Sequence, residues 1–282
     1  TLLVTSVASV LFGLGSSAHA TWTSAAATDT DTSWIQFRTD PARRIFADFP
    51  SAHAIADVYR PLTASWPVTT CADDGPGSLR AAIGAAADGD IIDLSELGCA
   101  KITLETGAIP VMVDSLTLYG RGRTQTTVDG NDEDRVFFHP YGGALTLHAM
   151  TVQRGRDRAT GFDVAGGGCI ASAGYVTLDD TTVRDCYAGG EGAYGGAIYA
   201  YSLTMSNSTL SGNVSLGVHE DNGTAGFGGA AFVYSFQLDD STISGNRAEH
   251  TFNPGRSSYD IGGGIISVHG GNMIRSTIDS NY

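Results

Sequence analysis

The sequence predicts an all-β chain wound as a parallel β-helix, and three observations carry that prediction. An apolar residue, three variable positions, Thr and a second apolar residue recur through the chain, with the first apolar residue at Val113, Leu147, Leu178, Met205, Leu238 and Met273, in steps of 27 to 35 residues. Self-similarity at that period marks a solenoid. Apolar and polar residues alternate within each copy, as strands require, and no long helical pattern follows residue 90. Gly pairs and Ser-Gly-Asn steps cut each copy into short strands, as in Gly195-Gly-Ala-Ile198 leading to Leu210-Ser-Gly-Asn213.

Stacked coils put equivalent residues about 4.8 Å apart, so columns of one residue type acquire meaning. The expected Thr column is Thr117, Thr151, Thr182, Thr209, Thr242 and Thr277. Three residues after the second apolar position stand Cys186, Asn213, Asn246 and Asn281, and the asparagines suit an amide ladder at a turn. The uneven period places insertions in turns, the longest around 154–165, 219–226 and 249–261.

Taken in order, residues 1–20 read as a signal peptide: an apolar run ending in Ala18-His19-Ala20, too short for a permanent membrane span. The missing Met and basic start suggest a clipped N-terminus. Residues 21–66 read as a linker or poorly ordered leader, and 67–100 as an N-terminal cap and first coil. Within the cap, Ser78 is a helix N-cap and Leu79 to Ala87 a short helix with one apolar face, which suits it to cover the open end of the core. Residues 101–282 are the repeats. No closing element follows Asn281-Tyr282, so the solenoid is expected to continue beyond this C-terminus.

The net charge of −14 opposes nucleic acid and anionic lipid surfaces as partners. Four cysteines behind a secretory leader fit an oxidising compartment. Of three possible pairings, Cys71–Cys99 would tie the cap to the first coil and Cys169–Cys186 would join two turns of one repeat.

The Gly-Gly-Ala-Ile198 and Leu-Ser-Gly-Asn213 motifs resemble the repeats of chlamydial polymorphic outer membrane proteins, with Ile, Leu or Val in place of Phe before the Asn and Cys186 in place of one Asn. Asp74-Gly-Pro-Gly-Ser-Leu-Arg-Ala-Ala-Ile83 with Asp129-Gly-Asn131 is similar to a broader set of secreted bacterial right-handed β-helix proteins. The resemblance covers 68–282. It implies a right-handed coil, a secreted or outer-membrane-associated location in a Gram-negative bacterium, and a non-catalytic adhesin-like module whose partners are surface glycans or cell-surface proteins. The alternative is a polysaccharide lyase or glycoside hydrolase acting on acidic glycans, since fold alone does not settle function.

An enzyme needs converging groups. The catalytic candidates are Asp179, Asp180, Asp239 and Asp240, two coils apart at roughly 10 Å, together with His269. Arg121, Arg154 and Arg156 are candidates for gripping an acidic sugar or phosphate. Asp129, Asp132 and Asp134 share one loop and are the candidate Ca²⁺ ligands, although their spacing matches no calcium-binding repeat and no cofactor is otherwise expected. Solvated carboxylates and Arg–Asp pairs are the ordinary alternatives for all of these groups. Aromatics around the Gly-Gly turns, among them Tyr199, Tyr201 and Tyr234, suggest a sugar platform or plain core stacking.

Overall fold

The computed structural model describes residues 63–158, 165–190, 192–217, 225–250 and 262–282, and the backbone of two further strands, Gln36–Thr39 and Ile45–Asp48. Those two strands pair antiparallel within a unit spanning Thr1–Arg60. The apolar leader, the rest of 21–62 and most of the three long insertions lie outside the described residues. The second unit, Pro61–Tyr282, is a parallel β-solenoid.

Its register is set by the alternating pattern. In the largest sheet, Ile92, Leu118, Leu147, Leu178, Met205, Leu238 and Met273 form one inward column. A second inward column in that sheet runs Ile109, Phe137, Ile170, Ile198, Ala231 and Ile265. The two ladders merge in the nine-residue strands Ile198–Ser206 and Ala231–Asp239. A seven-stranded sheet brings Ile102, Val128, Val152, Val183, Leu210, Ile243 and Ile278 inward. Most of these side chains are fully buried, and each contributes about 1.5–3 kcal/mol relative to exposure. Two smaller sheets, one of them Arg156–Arg158, Tyr187–Gly190, Val214–Gly217 and Arg247–His250, complete the coils.

The corners are where the chain must turn without orphaning backbone groups. Asp180, Asn207, Asp240 and Arg275 turn the first corner at φ of 46°, 46°, 45° and 47°, a left-handed geometry that Asn and Asp tolerate best. Directly behind them, Thr181, Ser208, Ser241 and Ser276 form a hydroxyl ladder. The backbone N–H groups of Thr181, Ser208 and Ser241 each donate to the hydroxyl of the next coil at 3.1 Å, and all four hydroxyls donate to the carbonyl two residues earlier in their own coil. At the second corner stand Asn213, Asn246 and Asn281. Asn213 Nδ2 donates to Asn246 Oδ1 at 2.8 Å, Asn246 Nδ2 donates to Asn281 Oδ1 at 2.9 Å, and the same oxygens accept the backbone N–H of the coil before. The ladder ends at Cys186, whose N–H donates to Asn213 Oδ1 and whose sulfur is bonded to Cys169. At the Gly-Gly corner, Gly167, Gly195, Gly228 and Gly262 take φ of 65° to 67°, and a Cβ on the following glycine would overlap the backbone of a neighbouring coil. In the last copy the pair is Gly262-Gly263.

Thr151, Thr182, Thr209, Thr242 and Thr277 stand in register on the outer face of the seven-stranded sheet. Thr117 does not join them. It pairs with Ile91 and Thr146 in the large sheet, and the column continues downward through Thr127 to Lys101. The reason is a longer corner: the turn through Gly120–Thr126 separates Leu118 from Thr127, whereas Leu147 is followed four residues later by Thr151. The first repeat therefore contributes Leu118 where the pattern expects Val113.

At the N-terminal end, strand Ser65–Pro67 pairs with Asp90–Asp93. Buried Asp90 accepts from Ala64 N, Trp66 Nε1 and Ala87 N. Helix Leu79–Ala85 begins at Ser78, whose hydroxyl accepts from Ala81 N, and it buries Leu79, Ala82 and Ile83. The disulfides are Cys71–Cys99 and Cys169–Cys186, with Cα separations of 6.4 and 5.5 Å.

Replacing Asn246 by Ala leaves the Asn213 N–H and the Leu210 carbonyl without partners in the interior. Urea melts of Asn246→Ala are expected to show a loss of roughly 2–4 kcal/mol, against less than about 0.5 kcal/mol for Ser211→Ala on the outer face. Equal effects would contradict the ladder.

Candidate functional site: the outer faces of the coils

Most inward positions are filled by apolar and ladder residues, so the groups open to a ligand lie on the outer faces and corners. The structure keeps the four aspartates at the register expected of them: Asp179 lies beside Ser206, and Ser206 beside Asp239. It also gives each of them a partner. Asp179 Oδ2 bonds His148 Nδ1 at 2.8 Å. Asp180 Oδ1 accepts from Arg123 Nη2 at 2.7 Å and from Asn207 Nδ2 at 3.0 Å. Arg275 bridges Asp239 at 2.6 Å and Asp240 at 2.7 Å. The Arg275 hydrogen bond holds the Asp240 carboxyl below the usual carboxylate range. These carboxylates lie along corners and link one coil to another; Arg123 reaches across from the long second-coil turn to Asp180 and to the Asn207 carbonyl. His269 bonds the Tyr234 hydroxyl at 2.9 Å and stacks on its ring.

The three aspartates of the 129–134 loop serve different neighbours. Asp129 is fully buried and accepts from Gln153 Nε2 at 2.8 Å and from Asn131 N at 2.9 Å, with Lys101 and Arg154 beside it. Asp132 pairs with Arg154 at 2.7 Å. Asp134 accepts from Ala108 N and from Arg135 N. Arg154 thus stands between Asp129 and Asp132, and no group of three or more His, Cys, Asp or Glu side chains fit for a metal ion occurs among the described residues. Burial pushes Asp129 up, but the Gln153 and Asn131 hydrogen bonds and the charges of Arg154 and Lys101 outweigh it and hold the carboxyl low. Asp157 is the opposite case. Its burial outweighs Arg135 and the Gly166 N–H, and its carboxyl is raised.

Of the three candidate arginines, Arg154 is neutralised as described and Arg121 donates to the carbonyls of Cys99 and Gln125. Arg156 lies over the Tyr187 ring, 4.2 Å from its centroid.

The outward aromatics form axial stacks. Tyr201 and Tyr234 lie 4.9 Å apart at 11°, and Tyr234 and His269 lie 3.9 Å apart at 22°. Tyr199 and Phe232 are likewise parallel, and the edge of Tyr175 meets Tyr201. Rings in register spend their faces on each other and turn their edges outward. Sugar stacking needs a free ring face, so Tyr234 offers no platform.

One pair escaped sequence reasoning. His139 Nδ1 bonds the Ser172 hydroxyl at 2.8 Å, while Nε2 faces the carbonyls of Val113 and Asp114. In type this is a nucleophile and a base. Both are buried, at 0% and 3% exposure, so the pair serves as an internal tie between coils. Only their register, Phe137 over Ile170, reveals it.

No protein-family model, no curated protein and no solved structure matches this chain. Among the described residues no helix is long and apolar enough to cross a membrane, which says nothing of strands.

The Asp129 carboxyl has a lowered pKa in the folded chain, so its stabilisation is complete above the unfolded value and is lost as pH falls through the lower, folded value. Asp129→Asn should therefore cost about 2 kcal/mol at pH 7 and progressively less in acid. Chemical denaturation from pH 7 to pH 2 checks this; a cost independent of pH would refute it.

Proposed function

We propose that the chain is a non-catalytic solenoid module of a secreted or cell-surface protein, of adhesin type, that presents its outer faces to surface glycans or cell-surface proteins. The observation that carries this reading is the use of the carboxylates: Asp179, Asp180, Asp239 and Asp240 are each tied to a His or Arg of another coil. A glycosidase needs one carboxyl free to donate a proton and another free to attack or to activate water. A surface module needs neither.

The resemblance to the repeats of chlamydial polymorphic outer membrane proteins supports the same reading. The two motifs that carry it, Gly-Gly and the terminal Asn, have structural duties at two corners of each coil. The adhesin type, the outer-membrane location and the secretory leader rest on that resemblance and on the sequence of residues 1–20.

A screen of the purified protein against pectin, alginate and polygalacturonate, with and without Ca²⁺, tests the reading. The expectation is no new reducing ends or unsaturated products, together with retention on immobilised glycans or on cells. Product release would establish the enzyme instead, and Asp239→Asn with Asp179→Asn would then show whether the stapled carboxylates are responsible.

A further inference from the structure

Among the arginines whose side chains the structure describes, Arg156 is the one whose guanidinium has no hydrogen bond or ion pair to an oxygen. Arg80, Arg123, Arg135, Arg154, Arg184, Arg247 and Arg275 each lie against a carboxylate, and Arg121 donates to two carbonyls. In a chain with 30 acidic and 16 basic residues, an unmatched arginine stands out. Its Nε–H is buried and has no acceptor, as is also the case at Arg121, so what sets Arg156 apart is that its Nη groups have none either.

The surroundings hold the side chain without using its donors. Arg156 and Tyr187 are register partners on the outer face of their sheet, and the guanidinium lies 4.2 Å from the Tyr187 ring centroid. The ring is kept along its own strand by Gly189, where a Cβ would overlap it. The carboxylates of its neighbours are committed elsewhere: Asp134, whose carbonyl accepts from Arg156 N, takes the N–H groups of Ala108 and Arg135, and Asp157 pairs with Arg135. A guanidinium stacked on an aromatic face is pre-organised, and its fork of N–H donors matches two oxygens of a carboxylate, phosphate or sulfate.

We propose that Arg156, backed by Tyr187 and Gly189, is a binding point for one oxyanionic group of an external ligand, a carboxylate, phosphate ester or sulfate ester. This goes beyond the adhesin reading and does not need it, because an anion site would serve a binding module or an enzyme equally.

Titration with inorganic phosphate, galacturonate and a sulfated disaccharide, followed by calorimetry and tyrosine fluorescence, tests the site and separates the three sources. The native chain and Arg184→Gln, which alters an exposed arginine paired with Asp185, should bind at least one probe alike. Arg156→Gln should bind it at least tenfold more weakly. Arg156→Lys keeps the charge but loses the fork and should also weaken binding several-fold; it decides the matter if the Gln variant does not fold. Gly189→Ala, by displacing the ring, should weaken binding with Arg156 intact. Failure of the native chain to bind any of the three probes, or equal binding by Arg156→Lys and the native chain, overturns the proposal.

Discussion

The structure depends on one constraint: each coil must hydrogen-bond to its neighbours in register. Parallel pairing gives every strand residue an equivalent one coil away, so whatever stands at a position is repeated along the axis. A polar residue that turns inward must then be able to bond to its own copy. Asn does so through an amide that donates and accepts, and Ser and Thr do so through a hydroxyl that does both. Those are the residues at the two inward corners, Asn213, Asn246 and Asn281 at one and Thr181, Ser208, Ser241 and Ser276 at the other. Outward corner positions face the opposite demand, a left-handed backbone, and Asp, Asn and Gly fill most of them.

The same constraint decides where length can vary. An extra residue inside a strand would reverse every side chain beyond it. The chain instead leaves the small sheets after Arg158, Gly217 and His250 and returns at Ala165, Gly226 and Ile265. The second coil makes its insertion at a different corner, through Gly120–Thr126, and that exception shifted Thr117 out of the column it resembles.

Much of the fold was legible because periodicity is a property of sequence alone. The apolar columns from Leu147 onward, the Thr column from Thr151 onward and the Asn ladder follow from it, while the two disulfides follow from which cap and repeat segments each would tie together. The hydroxyl ladder was missed because Thr181, Ser208, Ser241 and Ser276 fell among positions taken as variable. The candidate sites were less legible for a physical reason: a charge is defined by its partner, and at these sites the partner sits one or two coils away. Asp180 meets an arginine 57 residues earlier, and Arg154 meets Asp132 22 residues earlier. Stacking likewise turned the outward aromatics edge-on, which their spacing could not disclose. Arg156 is the inverse case, a residue singled out in the sequence whose lack of any oxygen partner emerges only from the coordinates.

The claim beneath all of this is that residues some thirty positions apart lie one above another. Spin labels on cysteines placed at Thr127 and Thr277, both on the outer face and five coils apart, measure it directly by pulsed dipolar spectroscopy. Stacking at about 4.8 Å per coil predicts a single narrow distribution centred near 24 Å, widened only by the label arms. A broad distribution, or one centred beyond about twice that distance, would contradict the stack.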